Sequence, residues 1–409
     1  MTAGGGSGAV FPPYTVSPYQ GLLNLLDIEM PDYGAFECNS TLTKGVKIAQ
    51  YGCQSSPAES AEACCEACGK LSGCHFFSYE NGHCGLFPTD AEKRPARDAV
   101  VGQCTKKAPP SSWTCNDNGL CIAYDDGSDL DASRKLATEA SVVIVVVSQF
   151  SKEGSDRDNL SFDVEYSSTC QVVPKGQNEL VSAVASGGSP TIVAATAPGA
   201  VLMPWKDEVN AILYAGLPGQ EYGNALANLL FGITNPSGKL TFTLPNIENE
   251  VGFSIFQYPG VKLEEEYLER SKIDYRWYTS NNVIPAYPFG HGLSYTTFEY
   301  SQMAVVKDVL DWKVTVTLKN TGEMNGAEVV QLYVEFPKEA RTPPLQLKGF
   351  QKTDVEANGS VTVELKLTRE DLSIWDIISH KFIVIPGEYN IRIGASSSDL
   401  RLSAPLRIL

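Results

Sequence analysis

One carboxyl group in this chain stands where α/β proteins keep their chemistry. Ser151-Lys152-Glu153-Gly154-Ser155-Asp156-Arg157 follows the apolar run Val142 to Val147, which predicts a loop at the end of a fully buried strand. Open α/β sheets bind ligands outside the carboxyl ends of their strands. A carboxylic acid there can protonate a departing oxygen and later take a proton from water. The adjacent Gly154 lets the backbone approach a ligand closely. Glu153 is the candidate proton donor, and Asp156 and Arg157 are the charges beside it. Those two either pair to fix the loop or touch a ligand directly. An unpaired cation next to Glu153 would lower its pKa and oppose the donor role, so Arg157 is better placed if Asp156 neutralises it. In isolation a Glu-Gly pair is an ordinary solvated turn, so the elements around it must decide.

The chain has 409 residues, 43% hydrophobic and 20% charged, enough for two or three domains with cores of their own. A net charge of −16 disfavours nucleic acid and acidic membrane surfaces and leaves a neutral ligand as the easier fit. No apolar run approaches the roughly 18 residues of a membrane helix. Neither a metal nor a cofactor is expected. A glycine-rich stretch, Gly4 to Gly8, lacks the preceding strand and the Gly-Lys-Ser or Gly-Lys-Thr of a phosphate loop. His, Asp and Ser are too scattered for a nucleophilic triad.

From Ile122 the chain alternates as a parallel α/β layer. Helices are expected at Leu130 to Ala140, Gln177 to Ser186 and Glu221 to Phe231. Strands are expected at Val142 to Val147, Thr191 to Ala195 and Val209 to Tyr214, with Lys239 to Leu244 as an edge strand after the turn Asn235-Pro236-Ser237-Gly238. A connector rich in Tyr, Pro and Gly follows. From Phe298 the period becomes two: Trp312, Val314, Val316 and Leu318 share one face, and so do Val361, Val363, Leu365 and Leu367. Turn signals at Asn320-Thr321-Gly322, Asn358-Gly359 and Pro386-Gly387 complete the pattern of a β-sandwich in which no ionisable cluster is expected.

Eleven cysteines are present, and all but Cys170 fall between Cys38 and Cys121, the mark of a locally stapled insert. Cys64 and Cys68 lie four apart on a helical stretch, Ala58 to Lys70, followed by Cys74, the aromatic strand His75 to Tyr79, and Cys84. Cys65, Cys68, His75 and His83 offer a rival zinc reading, but their spacing fits no common zinc motif. This pattern resembles the PAN/Apple family, in which a helix is stapled to a small antiparallel sheet and the module binds carbohydrate or protein. The resemblance implies disulfides Cys64–Cys84 and Cys68–Cys74, and leaves Cys170 as the candidate free thiol. The sequons at Asn39, Asn159 and Asn358 suit an extracellular or secretory-pathway protein. Asn39 and Asn358 are expected to be glycosylated, and Asn159 not, because a glycan there would crowd the Glu153 loop. Met1 to Gly8 has neither the basic flank nor the apolar core of a signal peptide, so Met1 is not expected to be the natural start.

The order of Gly4 to Gly8, Ser151 to Arg157, Val201-Leu202-Met203-Pro204-Trp205, Pro218-Gly219-Gln220, Asn235 to Leu240, Tyr275-Arg276-Trp277-Tyr278 and Pro288 to Tyr295 resembles the C-terminal half of a glycoside hydrolase of family 3, β-glucosidase type. The likeness implies an α/β plus all-β chain. Its parts would be an α/β sandwich with a parallel sheet at 1–35 and 122–245, the cysteine-rich α+β insert at 36–121, a connector at 246–297 and a fibronectin type III-like β-sandwich at 298–409. It also implies a β-linked glucoside or oligosaccharide as substrate and a retaining double displacement. Glu153 would be the general acid/base, with Asp156 and Arg157 as possible sugar contacts. The nucleophilic Asp would come from an N-terminal barrel domain missing from this chain, which alone should be inert. Departing from the family pattern, Tyr222 stands where a smaller residue is common. His291 is expected to hold its loop by hydrogen bonding. The other reading is a non-catalytic protein that binds carbohydrate or protein through the insert.

Overall fold

The computed structural model describes residues 16–28, 59–60, 63–64, 113–151, 153–154, 157–163 and 176–409, together with short strands between 37 and 105, at 166–167 and at 172–173. The chain divides into two compact units, residues 1–198 with 203–227, and residues 199–202 with 228–409.

The first unit contains a parallel sheet in the order Ala211–Ala215, Thr191–Thr196, Val143–Ser148. The register aligns Val193 with both Ile212 and Val145. The middle strand is short, apolar and almost wholly buried, as a strand paired on both sides and covered by helices must be. Val143–Ser148 departs from the expected full burial. Among the described residues it is the edge of the sheet, so alternate side chains Val145 and Val147 are buried while Val146 is 43% exposed. The helix Leu130–Glu139 starts at Asp129, whose carboxylate accepts from the backbone N–H groups of Asp131 and Ala132. Gln177–Ala185 is the second expected helix and Tyr222–Leu230 the third. Pro18–Leu26 adds a fourth, capped by Ser17, with a proline in its first turn. It meets Tyr222–Leu230 at two glycines: a Cβ on Gly21 would lie 2.1 Å from the Gly223 carbonyl, and one on Gly223 would lie 2.0 Å from the Ser17 oxygen. Val16 completes this contact, accepting from the Gly223 N–H and so occupying a donor that the helix start leaves open.

Within the cysteine-rich segment the strands Glu37–Cys38, Lys93–Thr105, Phe76–Glu80, His83–Phe87 and Gln54–Pro57 form an antiparallel path, and Thr43–Ile48 pairs with Lys93–Thr105. Cys64 is bonded to Cys84, with Cα atoms 5.4 Å apart. A second bridge, Cys115–Cys121, closes a hairpin. Cys68, Cys74, Cys170 and Asn39 lie outside the described residues, as does most of the expected helix Ala58 to Lys70.

In the second unit, two sheets enclose one apolar core: Phe298–Asp308, Asp311–Asn320 and Ser360–Leu367 in one, and Gln346–Val355, Gly326–Glu335, Gly387–Gly394 and Leu400–Ile408 in the other. Trp312, Val314, Val316 and Leu318 alternate inward, facing a core that includes Val330, Leu332, Val334, Ile391 and Ile393. Asn320, at the start of the expected turn, is fully buried. Its amide donates to the carbonyls of Met324 and Val355, and its oxygen accepts from Thr296 Oγ1 and the Gly322 N–H. The expected edge strand Lys239 to Leu244 does not form. Leu244 makes an isolated bridge to Tyr287, and the Thr243 N–H is taken by the Asp274 carboxylate instead of a neighbouring strand. Ionisable groups do cluster here, against expectation. Lys239 Nζ lies 3.0 Å from Glu328 Oε1 with both side chains nearly buried, and Arg401 stacks over the Tyr300 ring while binding Asp399.

Candidate active site

Glu153 and Gly154 lie at the exposed tip of a loop whose two feet are tied down. The first foot leaves the strand Val143–Ser148 at Gln149, which is buried. Its backbone N–H donates to the Thr196 carbonyl at 2.8 Å, continuing the sheet by one residue. Gln149 then spends its side chain on the loop: Nε2 donates to the Ser161 carbonyl at 2.6 Å, and Oε1 accepts from the Phe150 N–H at 2.7 Å. Gln177, the first residue of its helix, joins both feet. Its oxygen accepts from the Ser148 N–H, and its nitrogen donates to the carbonyls of Ser148 and Phe162.

The second foot is held from beneath. Phe162 is fully buried near Trp205, with ring centroids 6.2 Å apart. Asp163 accepts from the Asn178 N–H at 3.0 Å and from its side-chain amide at 2.8 Å, which places the carboxylate on the first turn of the helix Gln177–Ala185. Trp205 Nε1 donates to Asn178 Oδ1 at 2.8 Å, so a side chain of the Val201 to Trp205 motif orients the residue that orients the loop. Asn159 Oδ1 accepts from the Ser161 N–H, a local turn in which the sequon asparagine is already engaged. The side-chain polar atoms of Gln149, Gln177, Asn178 and Asp163 are all paired among the described residues, as a rigid support requires.

The sequence-predicted residues fare differently. Glu153 is at the tip, Gly154 adopts φ +74, a left-handed conformation in which glycine is unstrained, and Arg157 is half-buried. The Arg157 charge acts on Tyr214, whose phenol is raised to about 12 by burial against the downward pull of the guanidinium. Asp156 lies outside the described residues. Gln149, Gln177, Asn178 and Asp163 were not anticipated, and the only signal for them is Gln or Asn at the two ends of apolar elements. His291 serves its loop through the backbone, its carbonyl accepting from the Leu240 N–H at 2.8 Å. Burial, chiefly, and the nearby Lys239 hold its imidazole below the usual histidine range. Tyr222 is buried with its hydroxyl lacking a hydrogen-bond partner among the described residues. No group of three His, Cys, Asp or Glu among the described residues could hold a metal ion, and no described helix is long and apolar enough to cross a membrane.

Residues 1–295 match the glycosyl hydrolase family 3 C-terminal domain, and residues 328–397 match a fibronectin type III-like domain. The chain belongs to glycoside hydrolase family 3. Among curated family members it is 34% identical over 345 residues to probable beta-glucosidase D of Aspergillus niger, covering 77% of this chain and 44% of that protein. It is 37% identical over 295 residues to thermostable beta-glucosidase B of Acetivibrio thermocellus, covering 69% and 38%. The chain therefore spans less than half the length of these two relatives. The crystal structure of beta-D-glucoside glucohydrolase from Trichoderma reesei aligns with a TM-score of 0.59 at 33% identity, over 69% of this chain and 42% of that one. DesR, a beta-glucosidase from Streptomyces venezuelae, aligns at 0.70 and 26% identity over 99% and 54%. The family 3 domain carries the α/β layer and the Glu153 loop, and the fibronectin-like match falls within the sandwich.

Proposed function

We propose that this chain forms the acid/base portion of a retaining β-glucosidase, with Glu153 as the general acid/base and a β-linked glucoside or oligosaccharide as substrate. The observation that carries the reading is the loop between Gln149 and Asp163: polar side chains anchor both feet, and a carboxyl-bearing residue is presented at the tip. In such a reaction Glu153 protonates the glycosidic oxygen as the bond breaks, while a nucleophilic Asp of a barrel domain attacks the anomeric carbon and forms a glycosyl-enzyme. Glu153, now a carboxylate, takes a proton from water, which displaces the Asp and restores both groups. The two carboxyls must stand about 5 Å apart, so the loop works only against a barrel that holds the sugar. Arg157, beside Tyr214, and Asp156 are the proposed neighbouring sugar contacts. The bridges Cys64–Cys84 and Cys115–Cys121 support an oxidising, secretory compartment.

The test is Glu153→Gln in the barrel-containing protein. Hydrolysis of alkyl glucosides, whose leaving groups need a proton, is lost. Formation of the glycosyl-enzyme from dinitrophenyl glucoside, whose leaving group needs none, persists and is seen as a burst of phenolate. Equal loss on both substrates rejects Glu153 as the acid.

A further inference from the structure

A cavity of about 320 Å³ opens in the second unit beside the helix Tyr275–Asn281. Tyr275, Tyr278, Val283, Ile284, Pro285 and Pro288 supply its apolar lining. Asn282, Ser397 and Ser398 also line it, and their side-chain polar atoms have no hydrogen-bond partner among the described residues. No lining residue is charged. The volume lies in the range of small-molecule sites, about 300–1,000 Å³.

A strained residue shapes the wall. Asp274 sits at φ 53, ψ −131, backbone space that glycine favours, and its carboxylate compensates with three hydrogen bonds: to the Tyr275 N–H at 2.6 Å, the Thr243 N–H at 2.8 Å and Thr243 Oγ1 at 2.9 Å. Those bonds start the helix and hold Thr243 against the cavity. Tyr278 is fixed likewise, its hydroxyl donating to Glu250 Oε2 at 2.9 Å. Non-glycine residues held in such conformations cluster at ligand clamps.

We propose that this cavity binds a neutral, polyhydroxylated molecule of monosaccharide size. An apolar lining that includes tyrosine and proline suits the C–H surface of a pyranose, and uncommitted hydroxyls and an amide suit its hydroxyl rim. An ionic ligand would bring an unpaired charge into an uncharged pocket. The assignment is independent of the role given to Glu153.

D-glucose is titrated into the full 409-residue chain and followed by the tyrosine ring signals in NMR, with D-glucuronate as the charged counterpart of the same size. Glucose is expected to shift a small set of tyrosine signals saturably, and glucuronate to bind several-fold more weakly. Asn282→Gly keeps the left-handed backbone of Asn282 (φ 54) and removes its amide, and Ser398→Ala removes an exposed hydroxyl. Together they should weaken glucose about tenfold, the loss of two modest hydrogen bonds, and Ser398→Ala alone should weaken it by less. No saturable shift, equal binding of glucuronate, or unchanged affinity in both variants would overturn the proposal.

Discussion

The parallel sheet around Thr191–Thr196 and the β-sandwich of Phe298–Ile408 both bury polar side chains, but to different ends. In the sheet, Gln149, Gln177, Asn178 and Asp163 satisfy a loop that leads to an exposed carboxyl. In the sandwich, Asn320 and Glu328, the latter bound to Lys239 from the segment before it, close turns and join segments around an apolar core, and nothing they hold is presented to solvent as a reactive group. Buried polarity that ends in an exposed ionisable tip points to chemistry, and buried polarity that ends in a turn points to stability. The contrast is sharp enough to be broken by substitution.

The largest effect is expected at the tip. In the barrel-containing protein, Glu153→Gln should lower kcat/KM on an alkyl glucoside by about 10²–10⁴, the usual contribution of a positioned proton donor, with the unfolding midpoint unchanged. A fall in thermal stability of comparable weight would make Glu153 a structural residue and erase the contrast. Next comes the sandwich. Lys239→Met leaves Glu328 buried without its cation and should destabilise by about 3–5 kcal/mol in denaturant unfolding, whereas Lys239→Met with Glu328→Met should restore most of that loss. Neither variant should alter the leaving-group dependence of hydrolysis.

Smaller in stability but telling in position is Gln177→Leu. It strips the Ser148 N–H and the Phe162 carbonyl of their partner and should cost about 1–3 kcal/mol. Because those groups belong to the feet of the Glu153 loop, hydrolysis of alkyl glucosides should fall more than hydrolysis of activated aryl glucosides. Equal loss on both would mean that the clamp supports the sheet and not the donor.

Much of the frame was legible in the sequence because short-range signals decide it. Thr191–Thr196 is an apolar run bounded by turns, and Trp312 to Leu318 alternates strictly, so each declares its element without reference to the rest of the chain. Lys239 to Leu244 alternates almost as well, yet its pairing was decided by Asp274, some thirty residues on, which claims the Thr243 N–H. The loop that carries Glu153 was expected from the apolar run before it, and the side chains that clamp its feet were not. A glutamine at position 177 looks like any helix start until Ser148 and Phe162 are brought to it. The action of the Arg157 charge on Tyr214 was likewise invisible until the fold brought two residues 57 positions apart together. The Cys115–Cys121 bridge depended on a hairpin of two-residue strands, too short to leave a periodic signal.

Tyr222 tests the contrast at its finest grain, because it is a buried polar group that holds neither a loop tip nor a turn. Its hydroxyl has no hydrogen-bond partner among the described residues, and burial pushes the phenol up to about 12. In the unfolded chain the same hydroxyl is hydrated and titrates near about 10. Removing it should therefore relieve a desolvation penalty, and Tyr222→Phe is expected to be neutral or stabilising by about 1 kcal/mol. The pH dependence follows from the raised folded pKa. Below about pH 10 both states hold the proton and the stability is fully present; between there and about 12 the unfolded chain releases it first, so stability falls as pH rises. Tyr214, raised to about 12 as well, keeps its share of that loss in the variant, so the denaturant midpoint of Tyr222→Phe should decline less steeply between pH 9 and 11 than that of the parent without becoming flat. A variant less stable than the parent at neutral pH would show that the Tyr222 hydroxyl holds part of the structure, and the rule that separates the two regions would then have to admit a third kind of buried polar group.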